Sequence, residues 1–156
     1  MILYIFKSNS DFSHILDILI NKRLFLPNYK ILNDPMEGSF SFSLRPEDKS
    51  KFTRFEKLLE SVRVGSLANN CNHGLLWSHY TNGYRGCAVG LEVNDSTPNI
   101  HDVEYVDSLP DIGNNWNLGD PKVQYIFTKK LRGWDYEGEK RIIAFGSKAK
   151  KHFNSF

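Results

Sequence analysis

Apolar residues recur along this chain in two periods, and the switches between them predict its elements. Residues 2–6 are β-branched, leucine or aromatic and predict a first strand. Ser10 and Asp11 then supply a helix N-cap and a first-turn carboxylate. Phe12, Ile15, Leu16 and Leu19 follow at helical spacing, a stripe that predicts a helix facing a core, with His14 off the stripe and at the surface. Leu24, Phe25 and Leu26, stopped by Pro27, predict a brief strand leading into an irregular segment at 28–43. From Pro46, placed as a first-turn proline, a second amphipathic helix is expected to run to about Val62, with Phe52, Phe55, Leu59 and Val62 on one side.

The second half is richer in period-two patterning. Residues 64–68 predict a strand, 69–74 a polar turn, and 75–81 a short helix ended by Asn82 and Gly83, with Gly83 as C-cap. Cys87, Val89, Leu91 and Val93 alternate with Ala88, Gly90 and Glu92, a strand with unlike faces. Residues 103–106 are expected to be its partner, followed by a loop at 107–121 rich in Gly, Asn, Asp and Pro and long enough to act as a lid. Val123, Ile126, Phe127 and Lys130 fit a helix, while Val123, Tyr125 and Phe127 fit a strand; helix is the expectation for 123–131. A strand at 141–145 completes the pattern, with Glu139 and Arg141 projecting to one side. The reading is an α+β fold, a mixed and mostly antiparallel sheet with three or four short helices. Residues 1–147 form one domain, and 148–156 a basic tail whose Lys148, Lys150, Lys151 and His152 are expected to fray into solvent.

Composition narrows the function classes. The chain has 156 residues, 40% hydrophobic and 24% charged, which fits one globular core and argues against disorder. A formal charge of +2 with scattered basic residues lacks the concentrated basic face of a nucleic-acid binder. Two cysteines, Cys71 and Cys87, are too few for a zinc set and are expected to be reduced thiols. The first residues lack a basic lead and a cleavage site, and no apolar run nears the roughly 18 residues of a membrane span, so a cytoplasmic protein with no membrane partner is expected.

Three stretches carry a likeness: Asn33-Asp34-Pro35-Met36-Glu37, then Leu76-Trp77-Ser78-His79-Tyr80 through Tyr84-Arg85-Gly86-Cys87-Ala88-Val89-Gly90-Leu91-Glu92, then Trp134-Asp135-Tyr136-Glu137-Gly138-Glu139-Lys140-Arg141. In this order the chain, from about Leu3 to Phe145, resembles the bacterial domain of unknown function 2971 family. The layout of that family is in turn similar to the DNA-modifying ADP-ribosyltransferase toxins, which implies an ADP-ribosyltransferase-like fold, NAD as cofactor, and a toxin or phage-defence role. Family members run on past the W-x-Y-E-x-E-x-R segment into a further strand with an acidic residue, whereas this chain ends at Phe156. On that pattern the essential acid lies earlier, or this copy is shortened and inactive.

The residues themselves allow such chemistry beside simpler explanations. His79 can donate to ribose hydroxyls or phosphate and Tyr80 can stack on a nicotinamide ring, or Leu76 and Tyr80 are core and His79 bonds a carbonyl. Glu92 shares a strand face with Ala88 and Gly90, so it meets solvent or pairs with Arg85 or Arg141. Trp134, Tyr136, Glu137, Glu139 and Arg141 put two aromatics, two acids and a guanidinium into eight residues. A carboxylate there would stabilise the oxocarbenium-like state of ADP-ribose transfer. The simpler alternative is an edge strand with Glu139 and Arg141 paired along one face. The candidate catalytic acids are Glu137, Glu139 and Glu92. His79, Tyr80, Trp77, Tyr136, Arg141, Arg85, Asn33 and Asp34 make up the candidate nucleotide-binding set, although Asn33, Asp34 and Pro35 equally read as a rigid turn. The expected partners are a nucleotide ligand and a nucleic acid or protein acceptor. A non-catalytic binding module is the alternative. A nuclease with a divalent ion on Asp34, Glu37, Glu92 and Glu139 has no compact spacing behind it, and no metal site is expected.

Overall fold

The computed structural model describes residues 1–93, 99–113, 120–146 and 150–152. Its centre is a five-stranded antiparallel sheet in the order β4-β1-β3-β8-β5, built from β1 (Ile2–Ser8), β3 (Val62–Ala68), β4 (Gly86–Glu92), β5 (Ile100–Asp102) and β8 (Glu139–Phe145). Two small pairs flank it. β2 (Arg23–Phe25) lies antiparallel to β9 (Lys150–His152), and β6 (Glu104–Val106) lies parallel to β7 (Lys129–Leu131). The helices are α1 (Phe12–Asn21), α2 (Lys49–Glu60), α3 (Gly74–Tyr80) and α4 (Asp120–Phe127), with short 3-10 turns between elements. The α+β class with a mostly antiparallel sheet is what the periodicity predicts.

Strand alternation gives the sheet two cores. Leu3 and Ile5 of β1, Leu67 of β3, Leu91 of β4 and Ile142 of β8 share one face and pack with Ile18, Leu24 and Leu26 from α1 and the chain around β2. On the opposite face Val62, Val64 and Ile143 meet Phe55 and Leu59 of α2 and Val123, Ile126 and Phe127 of α4. Along this second face the register continues from Val64 opposite Ile143 to Ser66 opposite Arg141 and Ala68 opposite Glu139. The periodicity is unbroken there while the chemistry turns from apolar to charged.

Several expectations are corrected. The stripe expected to bury α1 instead faces outward, with Phe12 62% and Leu19 58% exposed. The helix docks through Ile18 and Asp17, the latter paired with Arg23 and bonded by Asn21. His14, expected at the surface, stacks on Phe25 at 4.9 Å between ring centroids. Ser8 rather than Ser10 supplies the capping oxygen, to a 3-10 turn that precedes α1. Val62 opens β3 instead of closing the second helix. Residues 103–106 do not pair with β4; β6 pairs with β7, because the chain at 120–131 satisfies both of its periods in turn, as α4 and then β7. Residues 150–152 of the basic tail are strand-paired with β2 rather than frayed, while Lys148 lies outside the described residues. In the loop expected to be a lid, residues 110–113 are pinned by backbone bonds between Ser41 and Pro110, Ile112 and Ser41, and Ser43 and Gly113. Residues 114–119 lie outside those described. No helix among the described residues is long and apolar enough to cross a membrane.

Candidate functional site

β1 and β3 are registered only where Tyr4 meets Ala68, and toward Lys7 on β1 and Val64 on β3 they line a cavity of about 230 Å³. The gap forms because β1 is tied along its whole length to β4, from Ile2 opposite Glu92 to Ser8 opposite Gly86, while β3 is tied to β8. On the opening side of β3, the Val64 amide donates to the Pro27 carbonyl, so a connecting segment occupies part of the place of a strand. Tyr4, Phe6 and Leu76 supply apolar wall, and Asn33, Tyr80, Ser66, Glu37, Lys130, Glu137 and Glu139 supply polar wall.

The polar wall is one continuous buried network. Arg141, 0% exposed, donates from Nε to Glu139 Oε1 at 2.7 Å, from Nη2 to Glu139 Oε2 at 3.1 Å and to Glu37 Oε1, and from Nη1 to the Phe127 carbonyl at 2.8 Å. Lys130 donates to Glu137 at 2.5 Å and to Glu139 at 2.9 Å, and its ammonium lies 5.0 Å from the Trp134 ring centre. The Tyr80 hydroxyl donates to Glu137 at 2.6 Å and accepts from Asn33 Nδ2 at 2.9 Å. Charges this deep persist only when paired and hydrogen-bonded, and here nearly every charged oxygen and nitrogen is. The exception is Glu37 Oε2, buried without a hydrogen-bond partner.

Local backbone sets the positions of the acids. Glu137 closes a 3-10 turn, Arg132–Glu137, that is capped by Gly138 at φ 50°, after which Glu139 begins β8. That left-handed step lets two acids two residues apart in sequence reach one lysine, and a Cβ on Gly138 would lie 2.5 Å from the Asn69 side chain. Glu37 is held by the turn at Asp34, whose Oδ1 accepts from the Met36 amide at 2.9 Å.

The electrostatics separate the groups. Burial pushes the Glu139 carboxyl up, but Arg141, Lys130 and the Ser66 hydroxyl outweigh it and hold the group at about 2. Burial pushes Glu37 up, and there Arg141 and Lys130 do not compensate. Burial and the neighbouring Glu137 carboxylate push the Tyr80 phenol well above its ordinary value. Burial lowers Lys130, but Glu139 and Glu137 more than offset it and raise the ammonium.

Of the residues singled out from sequence, Tyr80, Asn33, Glu137 and Glu139 line the cavity, and Arg141 stands behind it, bonded to Glu139 and Glu37. His79 is exposed and does not line it; its ring lies 6.4 Å from Tyr136, which also stacks on His73 at 5.4 Å. Trp77 donates to the Cys71 carbonyl at 2.6 Å and packs edge-on to Phe6. Glu92 is exposed at the end of β4, opposite Ile2, and pairs with neither arginine. Arg85 bonds the Asn82 carbonyl at 3.1 Å. Asp34 serves its turn and borders a separate small crevice with Glu37. Glu139 and Arg141 do pair along one face, as the simpler reading expected, but β8 is an interior strand rather than an edge. Among the described residues, no group of three or more His, Cys, Asp or Glu is arranged to hold a metal ion.

Sequence reasoning missed Lys130, Ser66 and Lys7, and gave Glu37 no part except in a metal set. One signal was present for Lys130, a cation on the same helical stripe as Val123, Ile126 and Phe127, where a lysine needs buried partners. Comparison with protein-family models, with curated proteins and with solved structures finds no match to this chain.

Proposed function

We infer that this domain is an ADP-ribosyltransferase-like enzyme that holds NAD at the β1–β3 cavity and transfers ADP-ribose to a nucleic acid or protein acceptor, in a toxin or phage-defence setting. The observation that carries this is the oriented Glu137 carboxylate at the cavity wall, fixed by Tyr80 at 2.6 Å and Lys130 at 2.5 Å. In such a reaction the bond from ribose C1′ to the nicotinamide nitrogen breaks with its electron pair leaving on neutral nicotinamide. The cationic ribose is stabilised by a nearby carboxylate, and the acceptor then forms the new bond and loses a proton. Glu137 suits the role better than Glu139: one of its oxygens is held by the neutral Tyr80 hydroxyl and the other by Lys130, whereas both oxygens of Glu139 accept from the charged donors Arg141 and Lys130. The resemblance of the three motif stretches to the domain of unknown function 2971 family supports the same reading.

The test is incubation of the purified protein with labelled NAD and cell lysate. Nicotinamide release that Glu137→Gln abolishes and Glu92→Gln leaves intact is expected. Absence of release from the wild-type chain would remove the catalytic claim. One feature favours the second reading, a non-catalytic nucleotide-binding module: the ion network is nearly self-saturated, as a structural network would be. In that case NAD raises Tm without turnover, since a ligand at a hundred times its Kd stabilises by about 2.7 kcal/mol.

A further inference from the structure

One edge of the central sheet carries backbone that no described strand uses. β4 is the outermost strand, paired with β1 along its whole length from Ile2 opposite Glu92 to Ser8 opposite Gly86, and among the described residues no strand pairs with its other side. The bonds at its two ends show which groups point outward. The Val93 amide donates to the Met1 carbonyl and the Arg85 carbonyl accepts from the Asn9 amide, so the odd-numbered residues turn their backbone toward β1. Alternation then turns the amides and carbonyls of Gly86, Ala88, Gly90 and Glu92 away from the sheet.

An edge of this kind pairs with another strand unless something prevents it. The opposite edge of the sheet is blunted by its length, since β5 spans only Ile100–Asp102. β4 runs over Gly86–Glu92 with no proline, no lysine and no break in its ladder to β1. Its outward residues as far as Gly90 carry nothing larger than a methyl group, and Gly90 and Glu92 are exposed.

The strand is also complementary to itself. Laid antiparallel about Val89, a second β4 sets Gly86 opposite Glu92, Ala88 opposite Gly90, and Val89 opposite its own copy. Every outward amide and carbonyl finds a partner in that register, whereas centring on Ala88 or Gly90 strands one end. The same register brings Arg85 of one copy beside Glu92 of the other. Both are exposed and neither makes an ion pair among the described residues; the Arg85 guanidinium bonds the Asn82 carbonyl at 3.1 Å. Opposite charges at the two ends of a strand select an antiparallel copy of that strand over a parallel one.

We propose that β4 is a homodimer interface: two copies of this chain pair through it, antiparallel and centred on Val89, into one continuous sheet.

Sedimentation equilibrium of the full chain at rising concentration should show a monomer–dimer equilibrium. Ala88→Pro removes an outward N–H and leaves the β1–β4 bonds intact. It should weaken the dimer on the order of tenfold or more with an unchanged circular dichroism spectrum. If that variant does not fold, Gly90→Lys, which puts a charge on the edge, takes its place. Arg85→Glu and Glu92→Arg should each weaken the dimer, and the two together should restore it. The register is read with Val89→Cys, made together with Cys71→Ser and Cys87→Ser. Its Cα atoms would lie about 4.5 Å apart across the two-fold, so mild oxidation should give a covalent dimer that Glu92→Cys in the same background does not. A chain that stays monomeric overturns the proposal and leaves the edge to an extended segment of another protein. A dimer indifferent to the edge variants, or one cross-linked equally through position 92, overturns it as well.

Discussion

At the scale of single residues, Arg141 decides most. Among the described residues it is the largest fully buried side chain, and its guanidinium joins two acids and the Phe127 carbonyl, each from a different part of the chain. Replacing it by leucine would strand Glu37 and Glu139 in the interior, a loss of about 3–5 kcal/mol. We expect urea unfolding of Arg141→Leu to show that loss, and the double variant with Glu139→Leu to recover part of it. Glu139 carries the acid sensitivity. Its folded-state carboxyl is held at about 2 against an ordinary value of 4.5, so on acidification the folded form takes up the proton later than the unfolded one. The stabilisation is complete above the unfolded value and is lost as pH falls from about 4.5 toward 2, on the order of 3 kcal/mol by linkage. Glu37, raised by burial, slopes the other way, losing stability as pH climbs above the ordinary carboxylate range. Thermal melts across pH 2–5 should show the acid-side loss in the wild-type chain and a flatter profile in Glu139→Gln. The acids near Trp134 were legible in sequence as a dense cluster. Their partners were only half legible, because Lys130 hides in an apolar stripe and Glu37, a third acid that shares Arg141 with Glu139, lies far from that cluster along the chain.

At the scale of elements, periodicity located most helices and strands but not always the side they bury. α1 shows this: the best-formed apolar stripe faces outward, because the helix is aimed by Ile18 against β2 and the sheet and by the Asp17–Arg23 pair. Ile18→Ala should therefore cost roughly 2–4 kcal/mol, the usual price of a buried isoleucine. Leu19→Gln should stay within about 0.5 kcal/mol, as exposed positions do. Denaturation midpoints of the two variants would check the order. Gly38 is an element boundary with a different demand. It sits at φ 73°, where a Cβ would come 2.7 Å from a Phe127 ring carbon and 2.9 Å from Tyr29. Gly38→Ala should destabilise by more than about 1 kcal/mol through strain and displacement of Phe127, and should loosen the Glu37–Arg141 pairing beside it. A midpoint shift without change in m-value would be its signature.

At the scale of the whole molecule, the chain closes on itself through pairings that span most of its length. Among the described residues β2 finds its one registered partner in β9, near the other end of the chain. Removing residues 147–156 should therefore speed amide exchange across Arg23–Phe25 and lower Tm by several degrees, with the central sheet still folded; mass-spectrometric exchange would show it. What the sequence by itself determined was the α+β class, the positions of most elements and the density of chemistry after Gly133. All of these depend on residues within a few turns of one another, where periodicity and backbone preference act directly. What only the tertiary structure decided was which charges meet. The divergence of β1 from β3, the pairing of Tyr80 with Glu137, and the convergence of Glu37, Lys130 and Arg141 depend on strand order and on burial. Those are set by the packing of two cores against one sheet and leave no local trace along the chain.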